Sequence, residues 1–354
     1  MKIIIVVDNS HSALFIAANA RAQVLGAEIV CSNNFLNTGQ LFRCLVRKEP
    51  SIVLFSWRSA LFDAAKSVRF RKNVNELHQI SRIGVLIPDH LGLHTSQWDS
   101  ESKCLFACDF YLVTSELLHT EYSSRMSNFP PIGILHDLPN LDLIKEVARK
   151  YPKIPNERPK IIWVGNSKWG KRFGFRDHKG LRTIVRPLGE ILSRHNICMD
   201  LEIIDSSRKR LSQFRVLRNI RNSDILIQVS ASEGTGLPIL EAIALGTEIL
   251  STPVGVFGEL FENTDLRLIN PFTAESIHLR LHHLLETGIA DRNRPSIAFQ
   301  SYIGKIMLEE IPLANKRDLK FLTTNRLKAR VKIEFIWFLR FVKFKANNLL
   351  TSNH

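Results

Sequence analysis

The sequence predicts an α/β protein of two doubly wound, Rossmann-like domains facing a cleft, followed by a basic helical segment. Three observations carry this expectation. Short apolar runs alternate with longer mixed segments through most of the 354 residues. One proline-rich stretch interrupts the alternation, which then restarts. In the second half a glycine-rich turn feeds an apolar helix, the way open parallel sheets present a ligand at the carboxyl ends of their strands.

In the first half Ile3–Val7, Ile52–Phe55, Ile83–Ile87 and Phe110–Thr114 are continuous apolar runs of strand length, as buried parallel strands require. Between them Ser12–Leu25 and Gln40–Lys48 have helical patterning. Residues 151–159 hold three prolines in nine positions and form the clearest linker. After it Ile161–Val164, Leu201–Ile204, Ile225–Val229 and Glu248–Ser251 repeat the strand pattern. The expected division is therefore 1–154, 155–312 (including a C-terminal helix that returns between the domains) and a basic aromatic tail, 313–354.

The segment Ser230–Gly246 is the most informative. Glu233 and Glu241 are separated by seven residues, with Gly234, Gly236 and Pro238 between them. The glycines permit a sharp turn and a close approach to a ligand, and Pro238 suits a helix start. Glu241 is then expected in the first helical turn, and the free N–H groups there suit an anion. The helix is apolar nearly all round, so a carboxylate inside it needs a partner: sugar or ribose hydroxyls, or a basic side chain. By itself the segment also reads as a buried helix with an acidic first turn.

Glu233, Gly234, Thr235, Gly236, Leu237, Pro238 and Glu241 resemble the signature of the group 1 glycosyltransferases (glycosyltransferase family four). The segment Lys160–Gly165 resembles the strand that opens that family's donor domain, and Lys179-Gly180 its helix-start Lys-Gly pair. The resemblance implies the GT-B fold and sugar transfer, with retention of anomeric configuration, from a nucleotide-sugar donor. It implies that Glu241 holds the ribose hydroxyls, that Glu233 and the amides of Gly234, Thr235, Gly236 and Leu237 face the donor sugar and its phosphates, and that Lys179 neutralises the diphosphate. Where the family has an Arg after the glycine matching Gly165, this chain has Asn166, followed by Lys168, Lys171 and Arg172. The family often has an aromatic residue at Thr235. It commonly has a further strand and glycine turn before Ile225–Val229; here the chain runs through Arg208, Lys209 and Arg210 into a single helix.

In the first half, Asp89 and His90 follow the strand Ile83–Ile87, about where relatives place a His or His-Asp toward the sugar. They are candidates for orienting donor or acceptor, and equally an ordinary polar turn. No D-x-D triplet occurs. Lys179, Lys168 or Arg172 and the helix N-terminus could stabilise a leaving diphosphate electrostatically, so no metal and no cofactor are expected.

Five cysteines are scattered with no zinc spacing, which suits reduced core thiols in a cytoplasmic protein. The N-terminal apolar run is broken at Asp8, Asn9 and His11, which favours a first strand over a signal peptide. The net charge is +14, and residues 313–354 alone hold 10 Lys and Arg against 2 Asp and Glu. That tail includes Trp337, Phe341 and Phe344 at helical spacing among Lys332, Arg340, Lys343 and Lys345. It reads either as a helix packing across the domains or as an interfacial helix on an anionic membrane; the membrane is preferred, and no nucleic acid is expected. The combined expectation is a cytoplasmic enzyme, peripheral on the inner face of the cell membrane. It would move a hexose to a glycan acceptor, lipid-linked, in surface polysaccharide synthesis. A phosphorylase, an epimerase and a non-catalytic sugar-binding scaffold are the alternatives.

Overall fold

A computed structural model describes residues 2–261 and 273–286, except residues 11, 57, 67, 91, 92, 94–97, 99–101, 103, 104, 106, 155, 172, 173, 196 and 197. The tail 313–354 and the interdomain helix expected ahead of it lie outside the described residues.

The first half forms a five-stranded sheet, order β2-β1-β3-β4-β5, with every pairing parallel. Its strands are β1 Ile3–Val7, β2 Glu28–Cys31, β3 Ile52–Phe55, β4 Arg82–Ile87 and β5 Phe110–Val113. Four were expected. The fifth, β2, is a four-residue edge strand, half exposed at its start, and so lacks the apolar run that marks the others. The helices α1 Ala13–Leu25, α2 Thr38–Lys48, α3 Arg58–Lys66 and α4 Val68–Ile80 run between its strands, and α5 Glu116–Arg125 follows β5. Ser12, Asn37 and Ser115 cap α1, α2 and α5 through their side chains.

The second half forms a four-stranded parallel sheet, order β7-β6-β8-β9. Its strands are β6 Lys160–Gly165, β7 Asp200–Asp205, β8 Ile225–Gln228 and β9 Glu248–Ser251. Helix α6, Leu141–Lys150, precedes the proline-rich linker, yet its Ile144 and Val147 are buried in the second core with Leu217, Ile220 and Ile243. The linker is tied to the same body, with Lys153 Nζ 2.5 Å from the Ser223 carbonyl and Asn156 donating to Asp224. Beyond it come α7 Arg186–Arg194, α8 Gln213–Arg221, α9 Leu237–Ala244, α10 Phe257–Leu260 and α11 Ala274–Glu286. Only α8 lies between β7 and β8, so the extra strand common in the family is absent there.

Two largely aliphatic cores, one with Phe257 and Phe261 and the other with Trp163, pack on the second sheet, and the larger core of the first sheet includes Phe42, Phe55, Phe110 and Tyr111. The two sheets meet at the carboxyl ends of their strands. Gly234, after β8, packs so tightly on the Pro88 carbonyl after β4 that any β-carbon would collide with it. The Glu259 carboxylate of α10 accepts the Glu116 N–H at the start of α5, 2.7 Å away.

Candidate active site

The site lies where β4 and β5 of one sheet face β6 and β8 of the other. Lys179 reaches it from a turn whose shape depends on Gly180. Gly180 has φ +68°, and a β-carbon there would lie 2.6 Å from the Val229 carbonyl. Only glycine accommodates both the left-handed backbone and the contact. Beneath the turn the buried Trp163 indole donates to the Lys179 carbonyl at 3.2 Å. The strand that opens this half thereby fixes the lysine main chain.

The Lys179 ammonium forms an ion pair with Glu233 Oε1, the two side chains being 15% and 13% exposed. It also lies 5.1 Å from the centre of the Trp169 ring, in cation–π geometry. Gln228, at the end of β8, donates to the same Glu233 oxygen at 2.7 Å. Beside the lysine, His178 is buried, its Nε2 2.8 Å from the Ser232 carbonyl and its ring between Trp169 and Phe175. Because Nε2 faces a carbonyl, it bears the proton of a neutral ring. Burial holds the His178 pKa down, and the Lys179 charge adds to this against the opposing pull of the Ser232 carbonyl, Glu233 and Asp89.

Asp89 and His90 approach from the first sheet. The His90 Nε2 lies 4.0 Å from the Glu121 carboxylate, and its buried Nδ1 meets no hydrogen-bond partner. Burial lowers its pKa, with Glu121, Asp89 and Glu233 opposing. Asp89 acts electrostatically on both His90 and His178. The structure thus brings Glu233, Lys179, Asp89 and His90 into one cluster from three separate stretches of sequence.

Glu241 occupies a second position, inside α9. Helix α9 begins at Leu237 with Gly236, φ +82°, as its cap, so Glu241 is its fifth residue. This corrects the expected first-turn placement. One turn in, the peptide N–H groups are committed to the helix, and the carboxylate must find its partner elsewhere. Gln213 of α8 supplies it through its side-chain amide. Glu241 is 3% exposed, and burial pushes its pKa up to about 8, against the lowering effect of the Gln213 bond. Thr235, where the family often has an aromatic, is buried with a hydroxyl that meets no partner.

The loop after β6 is shaped by local hydrogen bonds. The Asn166 Oδ1 accepts the Lys168 N–H at 2.9 Å and shapes a turn. Lys168 and Lys171 are exposed, and Arg172 lies outside the described residues. Buried Asp205 anchors the loop, taking the Ser167 N–H at 3.1 Å and its hydroxyl at 2.6 Å. Gly165 is required at the strand end because a β-carbon there would lie 2.7 Å from the Trp163 ring.

Sequence reasoning missed Gln213, Gln228, His178 and Trp169. Two signals were available: His178 adjoins Lys179, and Gln228 is the one polar residue in Ile225–Gln228. Among the described residues no group of three His, Cys, Asp or Glu could hold a metal ion, and no helix is long and apolar enough to cross a membrane.

Residues 209–298 match the family described as glycosyl transferases group 1. No curated protein matches the chain. Among solved structures the chain is similar to the trehalose-6-phosphate synthase OtsA, at TM-score 0.57 and 10% identity over 88% of this chain and 100% of that one. It is similar to Anabaena Alr3699/HepE in complex with UDP, at TM-score 0.55 and 12% identity over 92% of this chain and 100% of that one. A UDP-forming α,α-trehalose-phosphate synthase from Burkholderia xenovorans aligns at TM-score 0.56 and 11% identity, over 84% and 77%. At these identities the likeness concerns the fold, which is GT-B.

Proposed function

From a chain that carries a group 1 glycosyltransferase domain in the GT-B fold, we propose retaining transfer of a hexose from a nucleotide-sugar donor to a lipid-linked glycan acceptor. The observation behind this reading is the Lys179–Glu233 ion pair, facing Asp89 and His90 at the junction of the sheets. Lys179 is the cation for the departing diphosphate, aided by the amides of Gly236 and Leu237 at the start of α9. Negative charge that develops on the leaving group is stabilised by groups already in place, and no metal is needed. Glu241, steadied by Gln213, accepts the ribose hydroxyls. Asp89 and His90 orient the sugar or the incoming acceptor hydroxyl.

The acceptor side rests on charge. The tail 313–354 combines 10 Lys and Arg with Trp337, Phe341 and Phe344, a composition suited to an anionic membrane face. Placement on the inner face of the cell membrane and a role in surface polysaccharide synthesis follow from that reading.

A thermal-shift panel of ADP, CDP, GDP, UDP and dTDP, followed by hydrolysis of the matching sugar nucleotide, tests the donor assignment. UDP and UDP-glucose head the panel, since HepE has been seen with both. Stabilisation by one diphosphate together with slow donor hydrolysis is expected. Sugar binding with no hydrolysis and no transfer would instead identify a non-catalytic scaffold.

A further inference from the structure

We infer that Gln228 is a positioning residue that holds the Glu233 carboxylate when Lys179 turns to the diphosphate. The inference rests on the glycosyltransferase reading above.

Gln228 ends β8 and is 4% exposed. Its Nε2 donates to Glu233 Oε1 at 2.7 Å and to Ser230 Oγ at 2.8 Å. Ser230 is 1% exposed, so a buried hydroxyl fixes the amide from the other side. The strand fixes it from below: β8 pairs with β6 and β9, and the Gln228 carbonyl accepts the Thr252 N–H at 2.9 Å. An amide so anchored has little freedom to follow a moving ligand.

Lys179 is the other donor to Glu233, and it reaches the same oxygen, Oε1. Two donors on one oxygen leave Oε2 as the edge offered to a ligand. The donors differ in kind. Lys179 has a flexible stem and a charge that a diphosphate attracts, whereas Gln228 is neutral and inside the sheet. When the diphosphate draws on the lysine, Glu233 loses part of its charge partner just as its orientation toward the sugar matters. Gln228 then remains as the strand-anchored donor that keeps Oε1 engaged and Oε2 presented. Its neutrality suits the task, because a second cation would compete for the phosphate.

The test compares wild type with Gln228→Met and Gln228→Asn, each as the full chain. Met fills similar volume without a donor, and Asn keeps the amide one methylene short of the carboxylate. Melting temperature, affinity for UDP, GDP, ADP and dTDP, and hydrolysis of UDP-glucose, GDP-mannose, ADP-glucose and dTDP-glucose are measured. Folded variants should bind the diphosphate as wild type does, while kcat falls about ten- to a hundredfold, the rate equivalent of one hydrogen bond to a charged group. A general loosening of the fold would weaken diphosphate binding as well. In a double-mutant cycle with Lys179→Ala, the two effects should be non-additive, since both act on one oxygen. Unchanged kcat in a folded variant, additive effects, or unfolding of both variants would overturn the inference and leave the donor reading intact. If wild type binds none of the five diphosphates of the panel above, the donor reading fails, and this inference with it.

Discussion

Lys179 and Glu233, 54 residues apart in sequence, share an ion pair with side chains only 15% and 13% exposed. Lys179 closes the loop that follows β6, Glu233 lies on the turn after β8, and these two strands are hydrogen-bonded neighbours. The pair is therefore a product of strand order. It links the cation proposed above for the phosphate to the carboxylate proposed for the sugar.

Replacing Lys179 should accordingly affect more than phosphate affinity. Lys179→Ala leaves Glu233 with Gln228 as its remaining side-chain donor among the described contacts. Turnover should fall roughly a hundred- to a thousandfold, the usual loss on removing a preorganised electrostatic group. EDTA should leave wild-type turnover unchanged. Abolition by EDTA with recovery on adding Mn²⁺ or Mg²⁺ would point to metal-dependent chemistry instead.

Glu241 should make the unliganded protein sensitive to pH. Its folded-state pKa is pushed up to about 8 from the usual 4.5, so the folded chain holds the proton more tightly than the unfolded one. Stability from this residue is full below about 4.5 and is lost as pH rises through about 8. The change is on the order of a few kcal/mol. Thermal melts from pH 5 to 8.5 should show the slope, and Glu241→Gln should flatten it. Above about pH 8, where the carboxylate is ionised, the same variant should weaken diphosphate binding by about 1.5–3 kcal/mol if that carboxylate accepts ribose hydroxyls. Calorimetry with an unchanged affinity would remove Glu241 from the ribose site.

Gly234 should be intolerant of any side chain. Its position against the Pro88 carbonyl leaves no room for a β-carbon, so Gly234→Ala must push the two sheet edges apart. Donor hydrolysis should drop sharply, because Asp89 and His90 would retreat from Glu233. Diphosphate binding should persist, since Glu241 and Lys179 belong to one sheet's side of the junction. Retention of full turnover would show that the contact is dispensable.

Truncation after residue 312 tests the tail. It removes 10 Lys and Arg against 2 Asp and Glu. Each cation near an anionic surface contributes on the order of 1 kcal/mol. The full chain should sediment with phosphatidylserine-containing vesicles, less so at high salt, and the truncated chain should remain in solution. Donor hydrolysis should survive truncation while transfer to a lipid acceptor declines. Unfolding of the truncated chain would assign the tail to packing instead.

Most of the sheet architecture was legible in the sequence, because a buried parallel strand is a short-range signal. Ile3–Val7, Ile52–Phe55 and Ile225–Gln228 are apolar throughout or nearly so, and the strands appear there. Strand β2 escaped because an edge strand half in water needs no continuous apolar run. Glu233, Glu241, Lys179, Gly180 and Gly234 were also readable, since spacing and turn chemistry belong to neighbouring residues.

Tertiary structure alone decided how those residues are partnered. Gln213 meets Glu241 across 28 positions, and Trp163 reaches the Lys179 carbonyl across 16. Helix α6 leaves the first half of the chain to bury Ile144 and Val147 in the second core. The Asn166 side chain accepts the Lys168 amide. Such pairings depend on strand order and on which buried polar atom lacks a partner, and that choice is made only when the sheets assemble. The sequence determined which groups this protein possesses for its chemistry. Packing determined which oxygen each donor meets, because a buried polar group takes whatever partner the fold brings within about 3 Å.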